Sequence, residues 1–346
     1  MPPKISTKRP TARAVYQTIP VNDMTAGLDL RRSPTLVQPP RSVICKNWSL
    51  AEPGALRVRA GWSAFSSNHS TGRRAQGAQR IYLGSTQGSI IASQGNLYLL
   101  PDSGAWPSTS VYSTLSTGAD VHFIADRTIG AATDGVNPAV KSTNLTTWTR
   151  LGIAATTKAS TLSVESTTAT DMSTSEFAFE FTYKDRGLAY ESDPSAVSTI
   201  TLTSTGNGVK LNIPNSTDPQ VDAIVVYARN KTAGEGVFRK ASSLVQSAGV
   251  SSTIVITSSA WSANDEAPST HGVPPLLSFG VNWKNRWWAR SAEFPTRLYF
   301  TDIFLPQAWP ALYYIDLPFT NGEEINAIQP QGDTLTIHGD SQIYLI

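Results

Sequence analysis

The sequence predicts an all-β protein, and two features of its apolar residues carry this prediction. Almost nowhere do apolar residues recur with the roughly 3.6-residue period of an amphipathic helix. They occur instead in short alternating runs, rich in β-branched and aromatic residues and bounded by Gly, Pro, Asp, Asn or Ser. Many short strands separated by frequent turns are typical of a β-sandwich or a β-propeller, so we expect very little helix.

The composition excludes several classes of protein. Charged residues make up 16% of the 346-residue chain and the formal net charge is +2, so the chain as a whole is not expected to bind polyanions by charge. The single cysteine, Cys45, cannot form an internal disulfide or a cysteine-cluster zinc site, and we interpret it as a small buried hydrophobe. The first residues lack the apolar core of a secretory signal, and no run of about 18 apolar residues predicts a membrane span. We therefore expect synthesis in a cytoplasm, with any release following another route.

Residues 1–20 are predicted to form an extended N-terminal arm. They contain four basic residues, and the first acidic residue is Asp23. A solvated tail and an arm that reaches a neighbouring subunit or nucleic acid both fit this pattern.

Residues 21–155 are predicted to form the first part of a propeller-like domain. A turn at Pro53–Gly54 precedes a strand, and GSIIASQGNLYLL indicates a hairpin with its turn at Gln94–Gly95. In VHFIADRTIGAATDGVNPAVKS, successive strands are separated by turns at Asp126–Arg127 and Asp134–Gly135. Consecutive antiparallel strands of this kind form a blade-like meander.

Residues 156–270 have a different texture and are predicted to form an immunoglobulin-like sandwich. The segment begins with a stretch rich in Ser and Thr, followed by a strand in which four aromatic residues alternate. Because side chains alternate between the faces of a strand, all four rings are expected to face one way. They are Phe177, Phe179, Phe181 and Tyr183. Roughly seven strands in about 110 residues fit a sandwich.

Residues 271–346 resemble residues 21–155 in their pattern of short strand-like runs and turns, and they are predicted to form the second part of the propeller-like domain. DTLTIHGDSQIYLI indicates a further hairpin pair whose ending resembles GNLYLL, a weak internal repeat. The sandwich is therefore expected to be inserted into the outer domain. The outer regions supply only about three blades, whereas propellers have at least about four, so closure by further chain or by a neighbour is expected.

No residue is assigned a catalytic, cofactor-binding or metal-binding role, and the chain is not expected to be an enzyme. The histidines are isolated from one another in sequence and have no metal-ligand spacing: His69, His122, His271 and His338. The acid pairs Glu323–Glu324 and Asp265–Glu266 could serve glycoside hydrolysis only if their carboxylates converged. We interpret both pairs as solvated turn residues.

Four of the nine tryptophans lie in the last region: Trp283, Trp287, Trp288 and Trp309. Tryptophan rings can bind sugars or stack bases. The favoured interpretation is that the pairs Trp283/Trp287 and Trp288/Trp309 belong to the core and its edges, because each ring buries a large area.

The order of these motifs resembles tail nozzle or hub proteins of tailed bacteriophages, especially short-tailed ones. Residues 26–62 are similar to the opening of that family, in which Gly-Leu-x-x-Arg-x-x-Pro precedes Asn-x-x-Leu-x-x-Pro-Gly-x-Leu-x-x-Arg-x-Gly. The matching residues are Gly27, Leu28, Arg31, Pro34, Asn47, Leu50, Pro53, Gly54, Leu56, Arg59 and Gly61. DGVNPAVKS looks like the family's Asp-Gly-x-x-Pro strand, and YKDRGLAYESDPSAVS resembles a turn of its inserted fibronectin type III-like module. NRWWARSAEFPTRLYFTDIFLPQAWP looks like the re-entry into the propeller, and GDTLTIHGDSQIYLI resembles a further blade.

This resemblance implies a structural component of a virion tail, made in the bacterial cytoplasm. Several copies, for example six, would form a homo-oligomeric ring around the channel through which DNA leaves. The implied partners are tail adaptor or portal-side proteins and tail fibres or spikes. Double-stranded DNA would pass without specific binding, and no cofactor is implied. The alternative is a receptor-binding or glycan-binding tail module.

Overall fold

The computed structural model describes residues 48–52, 55–58, 74–101, 106–167, 172, 174–261, 263–320 and 322–346. The chain divides into two compact units, Met1–Phe65 and Ser66–Ile346. In the first unit, β1 (Trp48–Glu52) and β2 (Ala55–Val58) form an antiparallel hairpin, so the strand predicted after Pro53–Gly54 is confirmed. The predicted arm, Cys45 and His69 lie outside the described residues.

The second unit contains strands β3 to β24 and, within the described residues, no helix. The all-β prediction is therefore confirmed. The strands are β3 (Ala75–Leu83), β4 (Thr86–Ser93), β5 (Asn96–Leu100), β6 (His122–Ala125), β7 (Gly130–Thr133), β8 (Val140–Ser142), β9 (Thr149–Arg150), β10 (Thr161–Ser166), β11 (Glu176–Asp185), β12 (Tyr190–Glu191), β13 (Ser198–Thr201), β14 (Asn207–Pro214), β15 (Ala223–Asn230), β16 (Arg239–Val245), β17 (Ser251–Ile256), β18 (Leu277–Trp283), β19 (Arg286–Ser291), β20 (Arg297–Phe300), β21 (Tyr314–Asp316), β22 (Ala327–Gln331), β23 (Thr334–His338) and β24 (Ile343–Leu345).

Four of the sheets are antiparallel meanders, in which each strand pairs with its neighbours in sequence. In chain order they are meander 1 (β3-β4-β5), meander 2 (β6-β7-β8-β9), meander 3 (β18-β19-β20-β21) and meander 4 (β22-β23-β24). The expectation of about three blade-like sheets was too low, because the last region holds two meanders. The predicted hairpin turn at Gln94–Gly95 is confirmed, and both residues have positive φ, of 48° and 75°.

Each meander shares a hydrophobic cluster with the next, and alternation along the strands explains how. Ala131 packs between meanders 2 and 3, whereas Ala132 packs between meanders 1 and 2. Trp287 likewise belongs to the cluster between meanders 2 and 3, and Trp288 to the cluster between meanders 3 and 4. Consecutive residues of a strand point to opposite faces, so meanders 2 and 3 bury both of their faces.

Strands β10 to β17 form two further sheets, which we call the two-sheet unit. One has the order β10-β14-β17 and the other β12-β11-β15-β16, with β13 also paired to β11. One hydrophobic cluster contains side chains of both sheets, including the four aromatic residues of β11 predicted to share a face. Phe177, Phe179, Phe181 and Tyr183 are all buried there, so that prediction is confirmed.

The two-sheet unit leaves and rejoins the meanders at one place. A Cβ placed on Gly152, just after β9, would lie 3.5 Å from the Cα of Val273, just before β18. On either side of this point, Leu151 and Leu277 belong to the cluster between meanders 2 and 3. The backbone therefore departs and returns at adjacent positions.

Candidate functional site

The carboxylates of Glu323 and Glu324 bind different partners. Glu323 is buried and accepts hydrogen bonds from the backbone N–H (3.0 Å) and the hydroxyl of Ser341. These bonds hold the pKa of Glu323 below its ordinary value. Glu324 instead forms an ion pair with Arg290. The two acids therefore bind different partners. Glu323 is a buried hydrogen-bond acceptor for the turn at Ser341, and it is not the solvated acid that was expected.

The second acid pair is also divided between partners. Glu266 forms an ion pair with Arg239 at 2.9 Å, and Asp265 accepts a hydrogen bond from the N–H of Lys240 through its main-chain oxygen. Both acids are exposed, as expected for turn residues.

The four tryptophans of the last region lie in the core and at its edge, as expected. Trp287, Trp288 and Trp309 are at most 8% exposed, so the packing interpretation is confirmed for them. Trp283 packs against Trp288, with ring centroids 5.8 Å apart, whereas Trp287 and Trp309 share the cluster between meanders 2 and 3. Trp287 and Trp288 lie in different clusters because neighbouring residues of β19 face opposite sides of the sheet.

The histidines described are held by separate contacts. His122 lies 5.6 Å from Phe279 between ring centroids, and the ring of His271 stacks on Tyr190. His338 Nε2 is 3.3 Å from the hydroxyl of Thr336. Among the described residues, no three His, Cys, Asp or Glu side chains are grouped as metal ligands.

The first hairpin turn of each meander lies in one row, an arrangement that sequence analysis missed. Beside the first turn of meander 3, Trp283 Nε1 donates to the carbonyl of Gly332, in the first turn of meander 4, at 3.0 Å. On the other side, the Asn282 amide of meander 3 donates to the carbonyl of Ala125, beside the first turn of meander 2, at 3.4 Å. A Cβ placed on Gly84, in the turn of meander 1, would lie 4.0 Å from the carbonyl oxygen of Arg127 in the turn of meander 2. These turns, which we call the turn row, are residues 84–85, 126–129, 284–285 and 332–333.

A cleft of about 730 Å³ opens in the turn row between meanders 2 and 3. We call it the Phe304 cleft. Its lining residues are Asp126, Arg127, Thr128, Asn282, Asn285, Trp287, Phe304 and Pro306. The Trp287 indole nitrogen is buried without a hydrogen-bond partner in the described part of the chain. Two signals could have indicated this cleft: the Lys284–Asn285 turn and the apolar run Ile303–Leu305 within a loop.

A second, smaller pocket of about 350 Å³ lies where meander 2 meets the two-sheet unit. Buried Lys141 of β8 lies on its wall, beside Asp185 of β11 and Gln220. Gln220 donates to the carbonyl of Gly152 at 2.9 Å, and the Tyr190 hydroxyl donates toward the carbonyls of Gln307 and His271. These polar contacts fix the two-sheet unit against the meanders.

The sheet face of β11 and β15 that points away from the core of the two-sheet unit contains a buried polar group. The carboxylate of Glu191 accepts hydrogen bonds from Tyr227 (2.7 Å), Thr182 (2.9 Å) and Lys184 (2.9 Å). Glu180 lies on the same face, 7% exposed, and burial raises its pKa to about 7 against the opposing effect of Arg229.

Comparison with protein-family models and with curated proteins finds no match for this chain. The described residues include no helix that is long and apolar enough to cross a membrane.

Proposed function

We propose that this chain is a structural component of a bacteriophage tail, a nozzle or hub protein whose copies form a ring around the DNA-ejection channel. One observation carries the proposal. Four antiparallel meanders follow one another, and each is joined to the next by a hydrophobic cluster. Sheets packed in succession through shared hydrophobic clusters are what a wall-forming subunit requires.

The proposal includes an identity for the two architectural parts. We propose that the four meanders are blades of a β-propeller, since they pack face to face in chain order. The two-sheet unit is proposed to be an inserted fibronectin type III-like module. Its strands β10 and β11, β14 and β15, and β16 and β17 lie in opposite sheets, as expected for a sandwich with crossing connections.

The charge of the chain is compatible with a channel wall that lets DNA slide. Tight binding to duplex DNA requires several Lys or Arg side chains on successive phosphates and is strongly salt-dependent. Here only 16% of residues are charged and the net charge is +2. Several of the cations described are engaged by acids, including Arg239, Arg290 and Arg297. The proposed location is the virion tail, with adaptor or portal-side proteins and tail fibres or spikes as neighbours.

Cryo-electron microscopy of the virions that contain this chain tests the proposal. We expect several copies arranged as a ring on the tail axis, with meanders 1 to 4 recognisable in each copy. A chain located outside the tail, or present there as a single copy, would refute the proposal.

Mass photometry of the recombinant full-length chain provides a second test, because a ring component should associate at micromolar concentration. Fluorescence anisotropy with a labelled 30-base-pair duplex, in 50 and 200 mM salt, should detect only weak binding. Tight binding with a steep salt dependence would contradict a sliding wall.

A further inference from the structure

The Phe304 cleft contains a solvent-exposed aromatic ring held in an unusual backbone conformation. Phe304 is 73% exposed and has a φ of 60°, in the left-handed region that bulky residues rarely adopt. Its N–H donates to the carbonyl of Asn285 at 2.9 Å, which anchors the loop to the β18–β19 turn. Strained backbone of this kind clusters at active sites and ligand-binding loops, which motivates a binding role for this loop.

The cleft also contains polar groups whose hydrogen-bonding capacity is unused. Within the described residues, the side chains of Arg127 and Asn285 form no hydrogen bond or ion pair. In the part of the chain that the structure describes, the buried indole N–H of Trp287, which also lines the cleft, has no acceptor. A buried tryptophan N–H normally has a partner, so an unpaired one destabilises the fold unless a ligand supplies an acceptor.

The charges of the cleft favour a neutral ligand. Among the described residues that line it, only Arg127 and Asp126 are charged, and their charges cancel. One oxygen of Asp126 already accepts three hydrogen bonds within its own turn, from the N–H and hydroxyl of Thr128 and the N–H of Ile129. Hydrolysis of a glycosidic bond uses two carboxylates, and Asp126 is the single carboxylate among the described residues that line the cleft.

We propose that the Phe304 cleft binds a neutral oligosaccharide. A sugar ring has a face of C–H groups that packs on an aromatic ring, here Phe304. Its hydroxyls both donate and accept hydrogen bonds. The amides of Asn282 and Asn285 can also do both, while Arg127 can donate and Asp126 can accept. A volume of about 730 Å³ lies within the range of small-molecule sites and accommodates a short oligosaccharide. Sugar binding at this cleft does not require the ring assembly proposed above.

The proposal can be tested by probing a glycan array with this chain. The array should hold neutral gluco-, galacto-, manno- and N-acetylglucosamine oligosaccharides of about three to six units. We expect at least one to bind and to change tryptophan fluorescence. Titration calorimetry with that sugar should show affinity falling about tenfold or more in Phe304→Ala, from loss of stacking. Phe304→Tyr should retain affinity. Asn285→Gly, which tolerates the positive φ at that position, should weaken binding by about threefold.

Leu312→Ala is the matched control, because Leu312 is 83% exposed in the loop before β21 and is not among the cleft residues. It should bind the sugar as the wild type does. Urea unfolding midpoints of the variants show that lost binding does not come from lost folding. Binding to none of the array sugars overturns the proposal, and so does binding that Phe304→Ala leaves unchanged.

Discussion

The ammonium nitrogen of Lys141 lies 3.7 Å from a carboxylate oxygen of Asp185, and this contact joins meander 2 to the two-sheet unit. The Lys141 side chain is 2% exposed and also donates to the side-chain oxygen of Gln307. Desolvation lowers the pKa of Lys141 to about 8, because burial outweighs the favourable charges of Asp185 and Asp218. Keeping Lys141 charged at this junction therefore lowers the free energy of unfolding.

The first prediction is that Lys141 makes stability depend on pH in the alkaline range. Its pKa is about 8 in the folded chain and near 10.5 when unfolded, so between these values the unfolded chain binds more protons. Stability should therefore rise with pH across this window, by roughly 3 kcal/mol in total. In Lys141→Met this rise should be lost. Urea unfolding at intervals from pH 7.5 to 10.5 measures the slope.

Lys158→Met is the control for this prediction, since Lys158 is an exposed lysine of the same chain. It should preserve the wild-type slope. A slope that persists unchanged in Lys141→Met would show that another group titrates.

The second prediction concerns Glu180, whose pKa burial raises to about 7. The folded chain retains this proton while the unfolded chain, with a value near 4.5, releases it, so stability should fall as pH rises from 4.5 to 7. Glu180→Gln keeps the shape of the side chain and removes the ionisation. It should be more stable than the wild type at pH 8, on the order of 1 kcal/mol after solvent screening, and similar at pH 4.5.

Glu165→Gln serves as the comparison for Glu180→Gln. Glu165 is 44% exposed and lies 3.9 Å from Lys210, an ion pair that contributes little to stability. Its stability difference from the wild type should be small at both pH values. Equal urea midpoints for Glu180→Gln and the wild type at pH 8 would be evidence against a buried, destabilising carboxylate.

The fold could be predicted from the sequence wherever strand alternation was the deciding signal. The aromatic residues of β11 face one core because side chains alternate along a strand, and the Gln94–Gly95 hairpin follows from turn chemistry. Alternation also determines where Trp287 and Trp288 point. The sequence does not reveal, however, that both faces of meander 3 are covered.

The buried charges and the cleft depend on contacts between distant parts of the chain. Lys141 and Glu180 lie in strands, where a charged residue is expected at the surface, and their burial comes from neighbouring strands and sheets. The N–H of Phe304 donates to the carbonyl of Asn285, and both residues line the same cleft as Asp126 of another meander. The Lys284–Asn285 turn and the apolar run Ile303–Leu305 mark the two loops in the sequence, but no local pattern specifies that they face Asp126 across a cleft.

The third prediction tests the packing between meanders 2 and 3. Gly280 of β18 lies so close to its neighbours that a Cβ there would be 2.5 Å from the carbonyl oxygen of Trp288 and 2.7 Å from Cδ1 of Ile124. Gly280→Ala should therefore destabilise the chain by about 1–3 kcal/mol through overpacking. Gly118→Ala, where a Cβ would meet nothing within 4 Å, should have little effect. Urea unfolding compares the two, and equal midpoints would show that the sheets are not in close contact at Gly280.

The fourth prediction tests whether the two-sheet unit is an insertion. Because the backbone positions of Gly152 and Val273 are adjacent, residues 153–272 can be replaced by a Gly-Gly link that joins them. We expect the shortened chain to remain soluble, to retain a β-type circular dichroism spectrum and to unfold cooperatively. Meanders 2 and 3 should still share their cluster, since Leu151 and Leu277 are retained. Lys141, uncovered by the deletion, should no longer give the alkaline rise in stability.

A deletion of equal length displaced along the chain, residues 133–252, is the matched control for this excision. It removes β8 to β16, together with the last residue of β7 and the first two residues of β17, which also loses its sheet partner β14. We expect this chain to aggregate, because meander 2 can then no longer cover the faces of meanders 1 and 3. If both deletions aggregate, or if the 153–272 excision unfolds without cooperativity, the meanders depend on the two-sheet unit for folding. The two parts would then form a single folding unit, and the insertion hypothesis would be wrong.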